Sequence, residues 1–372
     1  SPVALGLRQL DVRADVAGGA LRAQVALDGT RIGTARVDAT AQLLQGRVDN
    51  DSPLKLTANA NLASLSWVSP LLGQPGLEVN GALRLAITGT GTVGAPTLNG
   101  SVEGDGLAVR WPDQGVRLRN GELRAVLAGD QLQLQRLTLE GNSGRATADG
   151  FVRFSGGEAT MNLKLVADKL EALSRPDRTV VLSGQASVVR DARQFRVEGN
   201  FMADRALVEL APQDRPTISD DVIVLGRGNA AAGTAKKEAA VPLTIDLTAD
   251  LGDDFHLRGM GADAYLAGSV RVQKVGDRPP RINGTVRTVS GTYAAYGQRL
   301  SIERGVITFS GPYDNPSLDI LAVRKAPEGE QLSETNVEAG VQVRGTALSP
   351  TAKLVSTPNV SDSDKLSWLV LG

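Results

Sequence analysis

The sequence predicts an all-β protein, an elongated and curled β-sheet carrying a few short helices. Three observations predict it. Apolar residues recur with period two in one segment after another, 42 glycines and 17 prolines punctuate the 372 residues, and one multi-strand unit occurs twice. With 41% hydrophobic but only 3% aromatic residues, the strands must be built from Val, Leu, Ile and Ala.

In chain order, Leu10, Val12, Ala14 and Val16 alternate, a Gly18-Gly19 turn follows, and Leu21, Ala23, Val25 and Leu27 alternate again. Each strand has one apolar face and one carrying Arg, Gln and Asp. Leu54, Leu56, Ala58 and Ala60 continue the pattern. From Leu62 to Gly73 the apolar spacing shifts to three and four, which predicts a short helix ending near Pro70 and Gly73. Strands resume over Phe151–Phe154 and at Met161, Leu163 and Leu165. Asp168–Pro176 reads as a helical turn, and Thr179–Val189 and Gln194–Leu210 as strands. Residues 226–240 lack apolar periodicity and read as a flexible loop between a repeat-sheet region, 1–225, and a C-terminal sheet region, 241–372. After Val341–Val355, two more strands, the segment from Ser361 to Gly372 carries an N-cap and a helical pattern with Leu366, Leu369 and Val370 on one side.

The stretch Pro280–Asp319 reads as four or five short strands, with Leu300 and Ile302 on one, Ile307 and Phe309 on the next, and a turn at Glu303-Arg304-Gly305 between them. Gly81–Leu134 repeats the layout of Gly268–Ile320. Both place a strand before Pro-x-x-Asn-Gly (Pro96–Gly100, Pro280–Gly284) and close a later hairpin on glycine (Gly121, Gly305).

Several chemistries are excluded. Without cysteine there is no disulfide, thiolate metal site or cysteine nucleophile. A formal charge of −1, from 40 basic and 41 acidic residues, gives no basic footprint for nucleic acid. Gly89–Gly94 matches the dinucleotide fingerprint in letters alone, because a turn and a strand follow where a helix must start. Gly228–Gly233 lacks the Lys-Ser or Lys-Thr of a P-loop. The single histidine, His256, has no nucleophile setting and reads as a strand-borne surface residue. Asp220-Asp221 and Asp253-Asp254 are sequence neighbours, so on a strand they point to opposite faces. The cluster Tyr293, Tyr296, Phe309 and Tyr313 reads as cross-strand packing. Neither catalysis nor a cofactor is implied, and no run reaches the length of a membrane-spanning helix.

A sheet with one apolar face must cover it, and the few helical segments are too small to do so, so the sheet must curl over itself. From the residues alone, a dry sandwich core and an open aliphatic trough both fit.

The motif Gly291, Tyr293, Tyr296, Gly297, Leu300, Ile302, Gly305, Ile307, Phe309, Gly311, Asn315, Pro316, Leu318 and Ile320 resembles one that recurs in the C-terminal domain of the TamB family of AsmA-like envelope proteins. Ala339–Val343, Ser356-Thr357-Pro358 and Ser361–Gly372 extend the likeness to the end of the chain; before Ala240 it is architectural. The resemblance implies a β-taco, an open groove, in a periplasm-spanning protein of Gram-negative bacteria. Its inner-membrane anchor and final strands would lie outside this sequence. It implies transport of phospholipid towards the outer membrane, and assembly of outer-membrane proteins and autotransporters with a TamA-like partner. The alternation phase then assigns the groove to Leu83, Leu85, Ile87, Ile245, Leu247, Val270, Val272, Leu300, Ile302, Ile307, Phe309, Leu318 and Ile320. The alternative function is a chaperone that holds outer-membrane protein strands by edge pairing.

Overall fold

The computed structural model describes residues 6–155, 158–191, 193–210, 242–295, 297–324 and 337–370. It divides into two units, the first mainly within 1–206 and the second mainly within 250–372.

The first unit begins with β1 (Leu7–Ala17), β2 (Ala20–Gly29), β3 (Gly33–Gln42), β4 (Leu54–Leu62), β5 (Glu78–Gly91) and β6 (Pro96–Trp111). It continues with β7 (Val116–Gly129), β8 (Gln131–Glu140), β9 (Arg145–Ser155), β10 (Glu158–Arg175) and β11 (Arg178–Arg190). Each strand pairs antiparallel with the next, as hairpin-connected alternating segments should. The register aligns like faces: Leu27 opposes Ala35, which opposes Ala60, which opposes Leu85. The residues of β12 (Phe195–Leu210) and β13 (Leu243–Asp250) are shared between the units.

The second unit holds β14 (Phe255–Gly259), β15 (Ala262–Val275), β16 (Arg281–Ala295), β17 (Gln298–Pro312), β18 (Ser317–Val323), β19 (Glu338–Thr346), β20 (Ser349–Thr357) and one helix, α1 (Asp362–Val370). From β14 to β20 these strands too pair antiparallel in chain order.

Four local expectations are corrected. The helix in Leu62–Gly73 is a single 3-10 turn, Ser69–Leu72, with Pro70 as its second residue, where proline's missing N–H costs nothing. Asp168–Arg175 is not helical but the end of β10. Two register shifts against β11, between Ala167 and Leu170 and between Glu171 and Leu173, and a positive φ of 48° at Lys169 produce the irregular spacing that resembled a helix. Gly305 does not close a turn: β17 runs unbroken through it, with a register shift against β18 between Ile302 and Arg304. Gly121 likewise lies inside β7, beside shifts in both of that strand's ladders. The glycine therefore marks a bulge in both copies of the repeat. The loop expected over 226–240 lies outside the described residues, as do Asp220-Asp221, Gly228–Gly233 and Tyr296.

The repeat itself is visible in backbone contact. Gly100 in β6 faces Ile87 in β5, and Gly284 in β16 faces Val270 in β15. At either glycine a side chain's first carbon would stand 2.8 Å from the opposing Cα and nearer still to a carbonyl oxygen. Only glycine permits that approach.

Candidate functional site: an apolar groove in the second unit

The strands β14 to β20 surround a cavity of about 510 Å³, and every one of the seven contributes to its lining. In a flat sheet β14 and β20 would lie ~29 Å apart, six strand spacings. Leu257 of β14 and Ala352 of β20 instead line one cavity, so this sheet curls with its aliphatic face inward. Side chains of modest size make the curl open: the walls are mainly Ala, Leu, Ile and Val, with Tyr293 the one aromatic.

The bulge in β17 keeps that face continuous. Leu300 and Ile302 are even-numbered while Ile307 is odd, and on an unbroken alternating strand they would point to opposite faces. The extra residue between Ile302 and Arg304 reverses the phase, so Ile302 opposes Ala322, Gly305 opposes Ile320 and Ile307 opposes Leu318. All three isoleucines, 302, 307 and 320, line the cavity with Leu300. Gly305 is buried at the phase change, where a side chain would run into Thr288 of β16.

Of the residues assigned by alternation, Leu300, Ile302, Ile307 and Ile320 therefore come together in this groove. Val270 and Phe309 pack with Ile302 and Ile307 against a buried cluster of Leu251, Ala264, Leu266 and Val286. Leu318 pairs with Ile307, and Val272 with Ile282 further along β15. Leu83, Leu85 and Ile87 lie in the first unit on β5, half-buried between exposed Arg84, Ala86 and Thr88. Ile245 and Leu247 lie half-buried on β13. The sequence reading missed Ala262, Ala264 and Leu266 of β15 and Val341 and Val343 of β19, which also line the cavity. Their period-two spacing was available, but small alanines carry a weak apolar signal.

One end of the groove is occupied. Where β17 and β19 begin and β18 ends, Leu300, Ala322, Ala339 and Leu369 of α1 form a second buried cluster, packed by Ile302, Val341, Leu354 and Trp368. Leu369 is 2% exposed. Gln298 Nε2 donates to the Val370 carbonyl at 2.8 Å and Arg324 donates to the Trp368 carbonyl at 3.0 Å. The helix start is capped as its sequence predicts: the Asp364 amide donates to Ser361 Oγ at 3.3 Å, and that hydroxyl donates to the Asp364 carboxylate at 2.6 Å.

The opposite face of the sheet is polar. His256 Nε2 lies 2.6 Å from Asp263 Oδ1, and the imidazole stacks on Tyr265 with ring centroids 4.4 Å apart. The hydrogen bond to His256 holds the Asp263 carboxyl below its ordinary range; desolvation opposes it, and the charges of His256, Arg258 and Arg299 add smaller downward contributions. Arg304 and Arg344 each lie 3.3 Å from Asp319. Among the described residues no group of three or more His, Asp or Glu side chains could hold a metal ion, and no helix is long and apolar enough to cross a membrane.

The TamB C-terminal domain family matches residues 130–372 of this chain, nearly two thirds of it. A curated relative, the translocation and assembly module subunit TamB of Haemophilus influenzae, is 25% identical over 354 residues. That alignment covers 88% of this chain and 26% of the relative, so the chain spans about a quarter of that protein's length.

Proposed function

Because this chain belongs to the TamB C-terminal domain family, we propose that its curled sheet is a non-enzymatic periplasmic conduit for phospholipid between the inner and outer membranes. The observation that carries this reading is the aliphatic groove bounded by β14 to β20. Each acyl methylene moved from water into such a lining gains ~0.8 kcal/mol, whereas a zwitterionic or anionic headgroup gains nothing there and stays at the open side. The conduit works by partition and needs no bond-making residue. In this reading Leu83, Leu85 and Ile87 of the first unit, and Ile245, Leu247, Val272 and Leu318, are further lipid-facing residues. The parent protein is anchored in the inner membrane and works with a TamA-like outer-membrane protein. It supports assembly of outer-membrane proteins and autotransporters by supplying their membrane. Organic extraction of the purified chain followed by mass spectrometry tests the reading. Co-purified phospholipid is the expected result, and a lipid-free protein that also takes up none from vesicles refutes it.

A second reading, holding of outer-membrane protein strands by edge pairing, has one observation in its favour. Among the described residues β1 pairs only with β2, and its Leu10, Val12 and Val16 are 53%, 67% and 63% exposed. Proline substitution at alternate positions of β1 would abolish strand capture in that case while leaving lipid content unchanged.

A further inference from the structure

We propose that α1 is a displaceable stopper, an intramolecular competitor of acyl chains for one end of the groove. The inference rests on the groove reading above and concerns its regulation. Leu300, Ile302, Ala322 and Val341 each belong both to the cavity lining and to the cluster that seats Leu369 and Trp368. An acyl chain advancing beyond Ile302 and Ala322 therefore meets the space α1 fills.

The attachment of α1 is of a kind that can be released. A nine-residue helix is too short to be stable in water by itself, so its helicity depends on docking. Leu369 is buried, but Leu366 remains 49% exposed, so the helix presents only part of its apolar surface to the sheet. Two side-chain donors, Gln298 and Arg324, hold carbonyls of its last turn, which a C-terminus otherwise leaves unpaired.

Those donors sit where release would be useful. Arg324 follows Leu318, Ile320 and Ala322 at even spacing, so it continues the inward face of the sheet at the rim. With α1 docked, its guanidinium is matched by the negative end of the helix dipole. With α1 displaced, Arg324 and Gln298 offer N–H donors to phosphate oxygens beside an aliphatic channel. Undocking thus exchanges carbonyl acceptors for a headgroup and leucine for acyl chain, leaving neither the donors nor the apolar seat exposed.

The chain contains no cysteine, so a Gln298→Cys, Val370→Cys pair can be bridged specifically by a thiol-reversible bis-methanethiosulfonate cross-linker. Uptake of cis-parinaric acid, followed by fluorescence, is expected to be about ten-fold slower in the bridged protein than in the same protein after reduction. The tether variant Gln298→Ala with Arg324→Ala, bearing a native Leu369, is expected to take up the probe faster than the parent. Equal rates before and after reduction, or slower uptake by the tether variant, would overturn the stopper. Absence of uptake in every form, with no phospholipid in the extract, would instead overturn the groove reading on which it rests.

Discussion

Replacing Ile307 by aspartate separates the groove from an ordinary core. Ile307 lines the cavity, packs on the buried cluster around Leu266 and Val286, and is itself half-buried. At ~0.8 kcal/mol per methylene, removing its three outer carbons forfeits ~2.4 kcal/mol of transfer free energy at a fully buried site and about half that at a half-buried one, where the open groove leaves no sealed cavity to add to the cost. The fold should therefore tolerate Ile307→Ala. A carboxylate has a different effect on a passing acyl chain. While the groove is empty it is hydrated through the open side, but acyl chains strip that water at a cost of several kcal/mol. Each ~1.4 kcal/mol is ten-fold in occupancy, so Ile307→Asp should retain at least ~100-fold less phospholipid, and Ile307→Ala only a few-fold less. The assay is mass-spectrometric quantification of lipid per mole of protein, with circular dichroism and a urea midpoint on the same samples. Acidification should partly restore binding, because an apolar site raises a carboxyl's pKa and the neutral acid costs less to bury. If the Asp variant folds with a parental midpoint and carries parental lipid at neutral pH, acyl chains do not pass Ile307.

Three further outcomes can be measured by equilibrium unfolding. Gly284→Ala should destabilise by clearly more than ~1 kcal/mol, because φ is +140° and the new carbon meets the β15 backbone; Gly276→Ala, at φ +57° with open space around it, should cost ~1–2 kcal/mol. Equal midpoints would show that close strand approach is not what Gly284 serves. Asp263 has a carboxyl pKa depressed in the folded state, so its stabilisation is present above the ordinary value of 3.8 and is lost as pH falls through the lower folded value. His256→Asn should flatten that acid limb, and an unchanged limb would assign the depression to Arg258 and Arg299. Asp319→Asn should cost less than ~1 kcal/mol in low salt and less again in high salt, since the Arg304–Asp319–Arg344 bridges are exposed.

The strands were legible because alternation is a local property. Leu21 to Leu27 and Met161 to Leu165 each announce one apolar face whatever surrounds them, and the structure makes strands of both. The repeat was legible for the same reason: Pro-x-x-Asn-Gly carries its close glycine contact in five adjacent residues. Where local reading failed, a bulge was responsible. At Gly305, Gly121 and Lys169 an inserted residue mimics a turn or a helical spacing, and only the partner strand shows that the ladder continues.

The groove divides along that line. The amino-acid sequence determined by itself that the chain is all-β, which residues share a face along each uninterrupted stretch of alternation, and that the segment from Ser361 would open with an N-cap and form a helix. Only the tertiary structure decided that the aliphatic face of β14 to β20 is the concave one, that the phase reversal after Ile302 keeps Ile307 on it, and that α1 ends over Leu300. Facing is set by the two-residue period only as far as the next bulge. Curvature accumulates over seven strands through twist, bulges and pairings between residues far apart in the chain, and no window of sequence contains that sum.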